Sequence, residues 1–325
     1  MKQNNTILIV GGAGYIGAHV AKLLAEKGYS LVIFDNLSTG YKSQVKWGKF
    51  EEGNLNSPDI ERVMKKYLPH TVIHLAGSCY VGESVTDPGK YYRNNVAGTI
   101  SLLEAMRTYQ IPQLIFSSSC TVYGIPEKLP IKENTPLGPI SPYGRSKLMI
   151  EQIIRDYTDA YGLHAVIFRY FNACGADPEL EIGENHVPET HLIPLVLATA
   201  QDPTNQLKIN GNTFATPDGT CVRDYLHVTD IASAHLRVLE QSMETPCQIY
   251  NLGTGKGHSI LEIIHAAEKI TEKSIPYTVG PSRPGDPAQL IADPSYANRQ
   301  LQWEAKHSDL STILNTAWLW QQKKK

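Results

Sequence analysis

Tyr143 and Lys147 stand four residues apart in the stretch SPYGRSKLMIEQ, residues 141–152. Ser141 suits a helix N-cap and Pro142 a first helical position. Leu148, Ile150, Ile153 and Ile154 then continue with the spacing of a helix that buries one face. Residues at i and i+4 share a side of a helix, one turn apart, so a phenol and an ammonium face the same way. Taken alone, a Tyr-x-x-x-Lys spacing is more often an ordinary amphipathic surface helix. Its chemistry is nevertheless specific. A tyrosine with a pKa of about 10 is a poor base at neutral pH. An adjacent ammonium favours the phenolate, which can accept a proton from a hydroxyl. Ser119, in SSSCTVYG (117–124), leaves a predicted strand just before this helix and adds a hydroxyl to the pair.

A second motif gives that proton transfer a companion. Gly12-x-Gly14-x-x-Gly17, preceded by Gly11, follows the apolar run TILIV (6–10) and opens a predicted helix from Tyr15 to Lys27, with Gly28 as its C-cap residue. The next apolar run, LVIFD (31–35), ends in Asp35. Strand, glycine turn, helix and acidic residue together form the dinucleotide fingerprint. The glycines let the backbone approach a pyrophosphate at the positive end of the helix. Asp35 can accept from a ribose 2′-hydroxyl, and its charge repels a 2′-phosphate, which favours NAD over NADP. A phenolate beside the nicotinamide could take a proton from a sugar hydroxyl while NAD takes hydride from the same carbon. LGTGKGHS (252–259) is not a second fingerprint: its spacing is G-x-G-x-G, and Ser259 with Glu262 reads as a helix capping box.

The elements that must position these groups alternate along the first half of the chain. An extended FEEGNL (50–55), a helix beginning at Pro58, strands TVIHLAG (71–77), QLIFSSS (113–119) and AVIFRYF (165–171), and helices near 90–108 and 143–161 are predicted. Runs that are apolar throughout suit strands buried on both faces. The pattern predicts an α/β fold, a Rossmann-type doubly wound parallel sheet. After Asn172 the texture changes to a Pro-, Glu- and His-rich loop (177–191), a helix near 192–201 and polar turns. Residues 1–172 are therefore expected to form an NAD-binding domain, with 224–250 returning to it, and 173–325 a smaller α/β substrate-binding lobe.

Composition narrows the partners. With 325 residues and a net charge of −2, the chain offers no basic field for nucleic acid or an acidic membrane surface. No segment approaches the roughly 20 apolar residues of a membrane span. The five cysteines are odd in number and scattered, and the N-terminus has no signal-peptide core, so a soluble cytoplasmic protein is expected. GENHVPETH (183–191) contains Glu184, His186, Glu189 and His191, but this spacing fits no closed zinc pattern, and a proline-containing loop accounts for it without a metal.

The motifs GGAGYIG, FDNLSTG, HLAG, VGESV, YYRNNVAGT, SSSCTVYG, SPYGRSKLM, RYFNACGADP, PETHLIPL, TPDGTCVRDYLHV, YNLGTG and RPGDP occur in that order over nearly the whole chain. In this the sequence resembles the extended short-chain dehydrogenases and, within them, the UDP-glucose (UDP-galactose) 4-epimerases. The resemblance implies that tightly held NAD oxidises C4 of a UDP-sugar, that the 4-keto sugar rotates, and that hydride returns to its other face. It makes Tyr143 the base, Lys147 its activator and ribose anchor, and Ser119 a partner for the hydroxyl proton. By the same likeness NAD would meet Gly11, Gly14, Tyr15, Ile16 and Gly17 at the turn, then Asp35, Asn36, Ser38, Thr39 and Gly40 after the second strand. Asn54 and Leu55, the trio Leu75, Ala76 and Gly77, and Asn95, Ser117 and Tyr170 complete that set. The nucleotide sugar would meet Ser119, Phe171, Asn172, His191 and Leu192, together with Lys208, Asn210, Arg223, Arg283, Asp286 and Leu290. Arg223 taken alone reads equally as an ion pair with Asp224.

Several positions depart from the best-known members. Asn54 stands for an aspartate near adenine, Cys79 for a lysine near the nicotinamide ribose, His191 for an asparagine, and Asn210 for an aromatic near uracil. Leu290 replaces a tyrosine that narrows the sugar pocket, which leaves room for an N-acetyl group at C2. N-acetylhexosamine and pentose pairs remain alternatives to UDP-galactose and UDP-glucose. Cys120 and Thr121 stand where 4,6-dehydratases carry an acidic pair, which disfavours elimination. A non-catalytic NAD-binding regulator, which usually loses the tyrosine or lysine, is the alternative outside enzymes. Relatives commonly form homodimers through two helices per subunit, here 90–108 and 143–161.

Overall fold

The computed structural model describes residues 5–241, 245–283 and 286–324. Pro284 and Gly285 of the RPGDP motif, residues 242–244 of the stretch expected to return to the sheet, and Lys325 lie outside them. In chain order the elements are β1 (Thr6–Val10), α1 (Tyr15–Glu26), β2 (Ser30–Asp35), β3 (Lys49–Glu52), α2 (Asp59–Tyr67), β4 (Thr71–His74), α3 (Val81–Thr86), α4 (Pro88–Tyr91), α5 (Gly98–Thr108), β5 (Gln113–Ser119), α6 (Pro142–Tyr161) and β6 (His164–Tyr170). There follow β7 (Asn172–Cys174), α7 (Leu192–Gln201), β8 (Leu207–Asn210), β9 (Val222–His227), α8 (Val228–Glu240), β10 (Cys247–Leu252), β11 (Gly257–Ser259), α9 (Ile260–Thr271), β12 (Tyr277–Gly280), β13 (Gln289–Leu290), α10 (Ser295–Leu301) and α11 (Leu310–Lys323).

Seven strands form one sheet in the order β10-β6-β5-β4-β1-β2-β3. The pairs from β3 across to β6 are parallel, as uninterrupted apolar strands predict. Sequence order runs outward in both directions from β1 and β4, which places the topological switch point, where such sheets bind ligands, at the carboxyl ends of those two strands. Side chains including Leu8, Val10, Val72, Leu114, Phe116, Ile150, Ile154 and Ile167 pack into one core. The helix expected near 90–108 is interrupted by a π-helical segment, Tyr92–Ala97. The extra residue per turn there reorients Asn94 and Asn95, and such bulges recur at functional sites.

The chain divides into two compact units, one of residues 1–124, 137–170 and 232–250, the other of 125–136, 171–231 and 251–325. The second unit has its own core, built around Val196, Ile209, Tyr225, Ile263, Leu314 and Trp318. There β9 pairs with β7, β11 and β13, and β8 pairs with β12. The stretch 224–250, expected to return whole to the large sheet, therefore separates: β10 joins that sheet beside β6, whereas β9 belongs to the smaller one. Buried Asp224 gives the reason. Its carboxylate accepts the backbone N–H groups of Thr254, Gly255 and Ala292, which ties β9 to the segments carrying β11 and β13. The pairing Asp224 was expected to offer Arg223 is absent from this set. Among the described residues, no helix is long and apolar enough to cross a membrane. All five cysteines are thiols.

Candidate active site

The glycine turn folds as its spacing predicts. Gly11 has φ +85°, and a Cβ there would lie 2.5 Å from the Ala76 nitrogen, so only glycine lets the turn after β1 approach the loop after β4. A Cβ on Gly17 would sit 2.3 Å from the Gly11 carbonyl, which makes this third glycine a packing residue. At Gly14, the N-cap of α1, a Cβ would meet nothing nearer than 3.4 Å. The space before the helix N-terminus is thus open, and the backbone N–H groups of the first turn point toward it.

That opening is part of a cleft lined by Gly11, Gly14, Asp35, Asn36, Ser38, Thr39, Gly40, Asn54, Leu55, Leu75, Ala76 and Gly77, together with Val10, Phe34, Gly53, Ser78 and Asn94. Of the residues assigned to NAD by resemblance, Tyr15, Ile16 and Gly17 lie in the turn and α1 outside this lining. The Asp35 carboxylate accepts the N–H groups of Ala13 (3.0 Å) and Leu37 (2.8 Å). These bonds fix its orientation and leave lone pairs for a ribose diol. Burial raises the Asp35 pKa, and the backbone donors oppose that rise. The Asn36 side chain accepts from Ser38, and that of Asn54 from Asn56, so both also shape the cleft wall. A cradle without Cβ atoms, a helix N-terminus and a fixed carboxylate fit a dinucleotide of the NAD type.

The catalytic candidates come from β5 and α6. Ser141 caps α6 by accepting from Gly144 N–H (3.1 Å), Pro142 holds its first turn, and Gly162 ends it at φ +70°. The buried face carries Tyr143, Lys147, Ile150, Glu151 and Ile154, the i, i+4, i+7, i+8 and i+11 positions of one stripe. Tyr143 is 9% exposed, and Ser119 is close enough to act on its hydroxyl. Ser119 ends β5, and its hydroxyl oxygen accepts from Thr121 N–H (3.2 Å) and Thr121 hydroxyl (3.0 Å). Lys147, 4% exposed, donates to the Ser117 carbonyl at 2.6 Å and lies 5.9 Å from the centre of the Tyr143 ring. The three residues singled out by type and spacing are therefore gathered at the carboxyl end of β5.

Their electrostatics differ from the sequence expectation in one respect. Burial is the largest influence on Tyr143 and pushes its pKa well above 10, while the nearby Ser119 hydroxyl pulls it down. Burial likewise lowers Lys147 to about 8, with Cys79 and Glu151 acting in the opposite direction. Both groups thus carry a desolvation penalty that the spacing alone did not reveal. Cys79, at the position where the resemblance has a lysine, is close enough to act on both groups.

Residues that sequence reasoning did not single out hold this group in place. Arg169 on β6 makes a two-pronged ion pair with Glu151, at 3.0 and 2.6 Å, and donates to the Tyr123 hydroxyl at 2.8 Å; Ser118 donates to Glu151 at 2.5 Å. Both charged side chains are at most 2% exposed. Glu151 lies one turn beyond Lys147 on the same face, a signal legible in the helical period. Removing one partner of a buried pair leaves an uncompensated charge. Glu151→Gln is expected to lower the unfolding free energy by about 3–5 kcal/mol in urea denaturation; a loss below about 1 kcal/mol, the size of an exposed pair, would show that the clamp is dispensable.

Asn95 has a similar supporting part. Its amide donates to the Ser78 carbonyl (3.0 Å) and Ser146 hydroxyl (3.3 Å) and accepts from Ser78 N–H (2.8 Å), joining the loop after β4 to α6. The Tyr170 hydroxyl meets His235 Nε2 at 2.9 Å. Both side chains assigned to the cofactor by resemblance thus have protein partners.

The residues assigned to the nucleotide sugar, Ser119 apart, all lie in the second unit. Arg223 on β9 donates to Asp286 at 2.9 Å, not to Asp224, and Leu290 stands opposite Arg223 in the β9–β13 register. Arg283 is exposed and accepts Asp286 N–H at its carbonyl. Asn172 pairs with Tyr225, and Phe171 N–H donates to Leu252. Lys208 and Asn210 lie on β8, and His191 and Leu192 begin α7. The loop 184–191, read from spacing as an ordinary loop, brings its two histidines and two glutamates together.

Comparison with known proteins agrees with this geometry. Residues 7–253 match the family model described as the NAD dependent epimerase/dehydratase family. A UDP-glucose 4-epimerase of Rhizobium meliloti (strain 1021) is 44% identical over 98% of this chain and 97% of its own. The crystal structure of UDP-glucose 4-epimerase from Brucella ovis in complex with NAD superposes with a TM-score of 0.94 at 51% identity, covering 97% of this chain and 98% of that one. The enzyme from Bifidobacterium longum in complex with NAD+ and UDP gives 0.94 at 39% identity, over 98% of each chain. A glycine cradle with its fixed aspartate, a Ser–Tyr–Lys group on the neighbouring strand and helix, and likeness along nearly the whole length agree: the chain belongs to the NAD dependent epimerase/dehydratase family.

Proposed function

We propose that the protein is a UDP-glucose 4-epimerase, an isomerase that interconverts UDP-galactose and UDP-glucose through transient oxidation of the sugar at C4. The observation that carries this reading is the burial of Tyr143 and Lys147 side by side at the carboxyl end of β5, with Ser119 acting on the phenol, in the unit whose cleft holds Asp35. NAD, bound along that cleft, supplies the acceptor for the C4 hydride and returns it after the sugar has turned. Tyr143 takes the proton of the C4 hydroxyl and gives it back on the return step. Ser119, its hydroxyl oriented by Thr121, holds the sugar oxygen against the phenol. Lys147 stabilises the phenolate and reaches the nicotinamide ribose, and Asp35 binds the adenosine ribose and selects against a 2′-phosphate.

In the second unit, Arg223 and Arg283 suit a diphosphate, for which a guanidinium makes paired charge-assisted bonds. Phe171, Asn172, His191, Leu192, Lys208, Asn210 and Asp286 are proposed to contact the rest of the nucleotide sugar. Binding energy from the nucleotide would hold the keto intermediate through its rotation. Leu290, in register with Arg223 where strict members of the family carry a tyrosine, supports a second substrate pair, UDP-N-acetylgalactosamine and UDP-N-acetylglucosamine. Five thiols support a reducing, cytoplasmic setting. Exposed Ile100 on α5 and Met149 and Tyr161 on α6 support a homodimer through those helices, which light scattering tests.

The test is a proton NMR time course with UDP-galactose and UDP-N-acetylgalactosamine and no added NAD. Appearance of gluco-configured anomeric signals is the expected result, and the pair that converts reports the Leu290 pocket. If neither changes and NAD does not restore turnover, the hexose epimerase reading fails.

A further inference from the structure

The loop between β7 and α7 folds Glu184, His186, Glu189 and His191 onto one another, with one ligand atom from each lying within 4.8 Å of the others. His186 Nδ1 is 3.2 Å from Glu184 Oε1 and 3.7 Å from Glu189 Oε2. His191 Nδ1 is 3.8 Å from Glu189 Oε1 and hydrogen-bonds Glu184. In a tetrahedral centre with metal–ligand bonds of about 2.0–2.1 Å, donor atoms stand roughly 3.4 Å from one another. These separations bracket that value, so small side-chain rotations suffice to surround an ion.

The surrounding chain fixes these groups. Glu184 is 6% exposed, and its carbonyl accepts from the Trp320 indole at 3.0 Å. Gly183 lies against the same indole with no room for a side chain, the nearest ring atoms being 2.6 Å from a Cβ position. Glu189 accepts the N–H groups of Thr190 (2.8 Å) and His191 (2.9 Å), and His191 stands at the N-cap of α7. The rings of His186 and His191 meet edge to face, 5.2 Å apart. With both imidazoles neutral, the four groups carry two negative charges, and Lys324 is a nearby cation that feels both glutamates.

We propose that Glu184, His186, Glu189 and His191 form a binding site for one divalent transition-metal cation of the zinc class. Two imidazole nitrogens favour zinc, cobalt or nickel over magnesium and calcium, which take oxygen ligands. The ion binds neutral imidazoles, and its two positive charges offset the two carboxylates. Four ligands within eight residues do not follow the widely spaced pairs of closed zinc motifs, which is why spacing alone did not reveal them. The site includes none of Ser119, Tyr143 or Lys147 and shares only His191 with the proposed sugar-nucleotide contacts, so metal uptake measured without substrate separates its failure from that of the epimerase reading.

The test uses the full chain, stripped with a chelator and titrated with Zn²⁺ and with Co²⁺. The expected result is one zinc per chain by elemental analysis after gel filtration, and a visible Co²⁺ absorption band of tetrahedral type. His186→Asn and His191→Asn, each placing an amide near the lost Nδ1, should weaken uptake beyond the roughly 10–100-fold cost of a lost outer-shell partner. Glu189→Gln, altering the more accessible carboxylate, serves if either histidine variant fails to melt cooperatively. No uptake by the wild type, or equal uptake by the folded variants, would overturn the proposal.

Discussion

Tyr143→Phe is expected to lower kcat by about 10²–10⁴-fold, the contribution of a positioned general base, equivalent to roughly 3–5 kcal/mol in the barrier. The substitution removes one oxygen and keeps the ring, which packs edge to face on Tyr91 with centroids 6.3 Å apart. Fold and cofactor content should therefore survive. What is lost is the phenol beside Ser119, so a C4 hydroxyl would be left facing a serine hydroxyl that already accepts twice from Thr121. KM should change little, because the proton moves mainly in the transition state. Stopped assays of both directions check this. Undiminished turnover would remove Tyr143 from the mechanism, and NAD binding without turnover in the wild type as in the variant would favour a regulatory protein.

Lys147→Met tests the second electrostatic element through its pH dependence. Methionine fills similar space but carries no charge, and it abandons the 2.6 Å bond to the Ser117 carbonyl. Burial holds the folded Lys147 pKa near 8, below its ordinary value. The sign follows directly: the ammonium is present below about 8 and lost above it, so its support of the Tyr143 phenolate fades as pH rises through that value. The kcat ratio of wild type to variant should thus be largest near pH 6–7, on the order of 10²-fold or more, and narrow above pH 8. For stability the same shift has the opposite sense, since a buried ammonium is disfavoured below pH 8 and the penalty lifts between about 8 and 10.5. The variant should accordingly unfold no more easily than wild type at pH 7. A kcat ratio constant across pH would assign Lys147 a purely positioning part, through Ser117.

The features legible in the sequence were those whose geometry is local. Gly11 to Gly17 and Asp35 are joined by one strand–turn–helix–strand unit, so spacing alone implies the cleft. Tyr143 and Lys147 are linked by a single helical turn, and Ser119 by the strand end that precedes them. Contacts between distant segments were not legible. The Glu151–Arg169 clamp joins a helix to a strand, and an arginine within the apolar run AVIFRYF carries no local sign of its partner. The strand β9 looked like its counterparts in the large sheet, but Asp224 commits it elsewhere through donors 30 and 68 residues away. Burial of Tyr143 was hidden for the same reason, since it depends on α3, α4 and β5 packing around the start of α6. The two- to four-residue strands β7, β8, β11, β12 and β13 are too short to show a period.

The most direct measurement follows the hydrogen at C4. UDP-galactose deuterated at that position is incubated with the protein in ordinary water, with no NAD added, and the product is read by NMR and mass spectrometry. If the hydrogen leaves C4 and returns to the same carbon within a closed site, UDP-glucose forms with deuterium retained at C4. Product carrying solvent hydrogen at C4, or deuterium found at another carbon, would contradict the account.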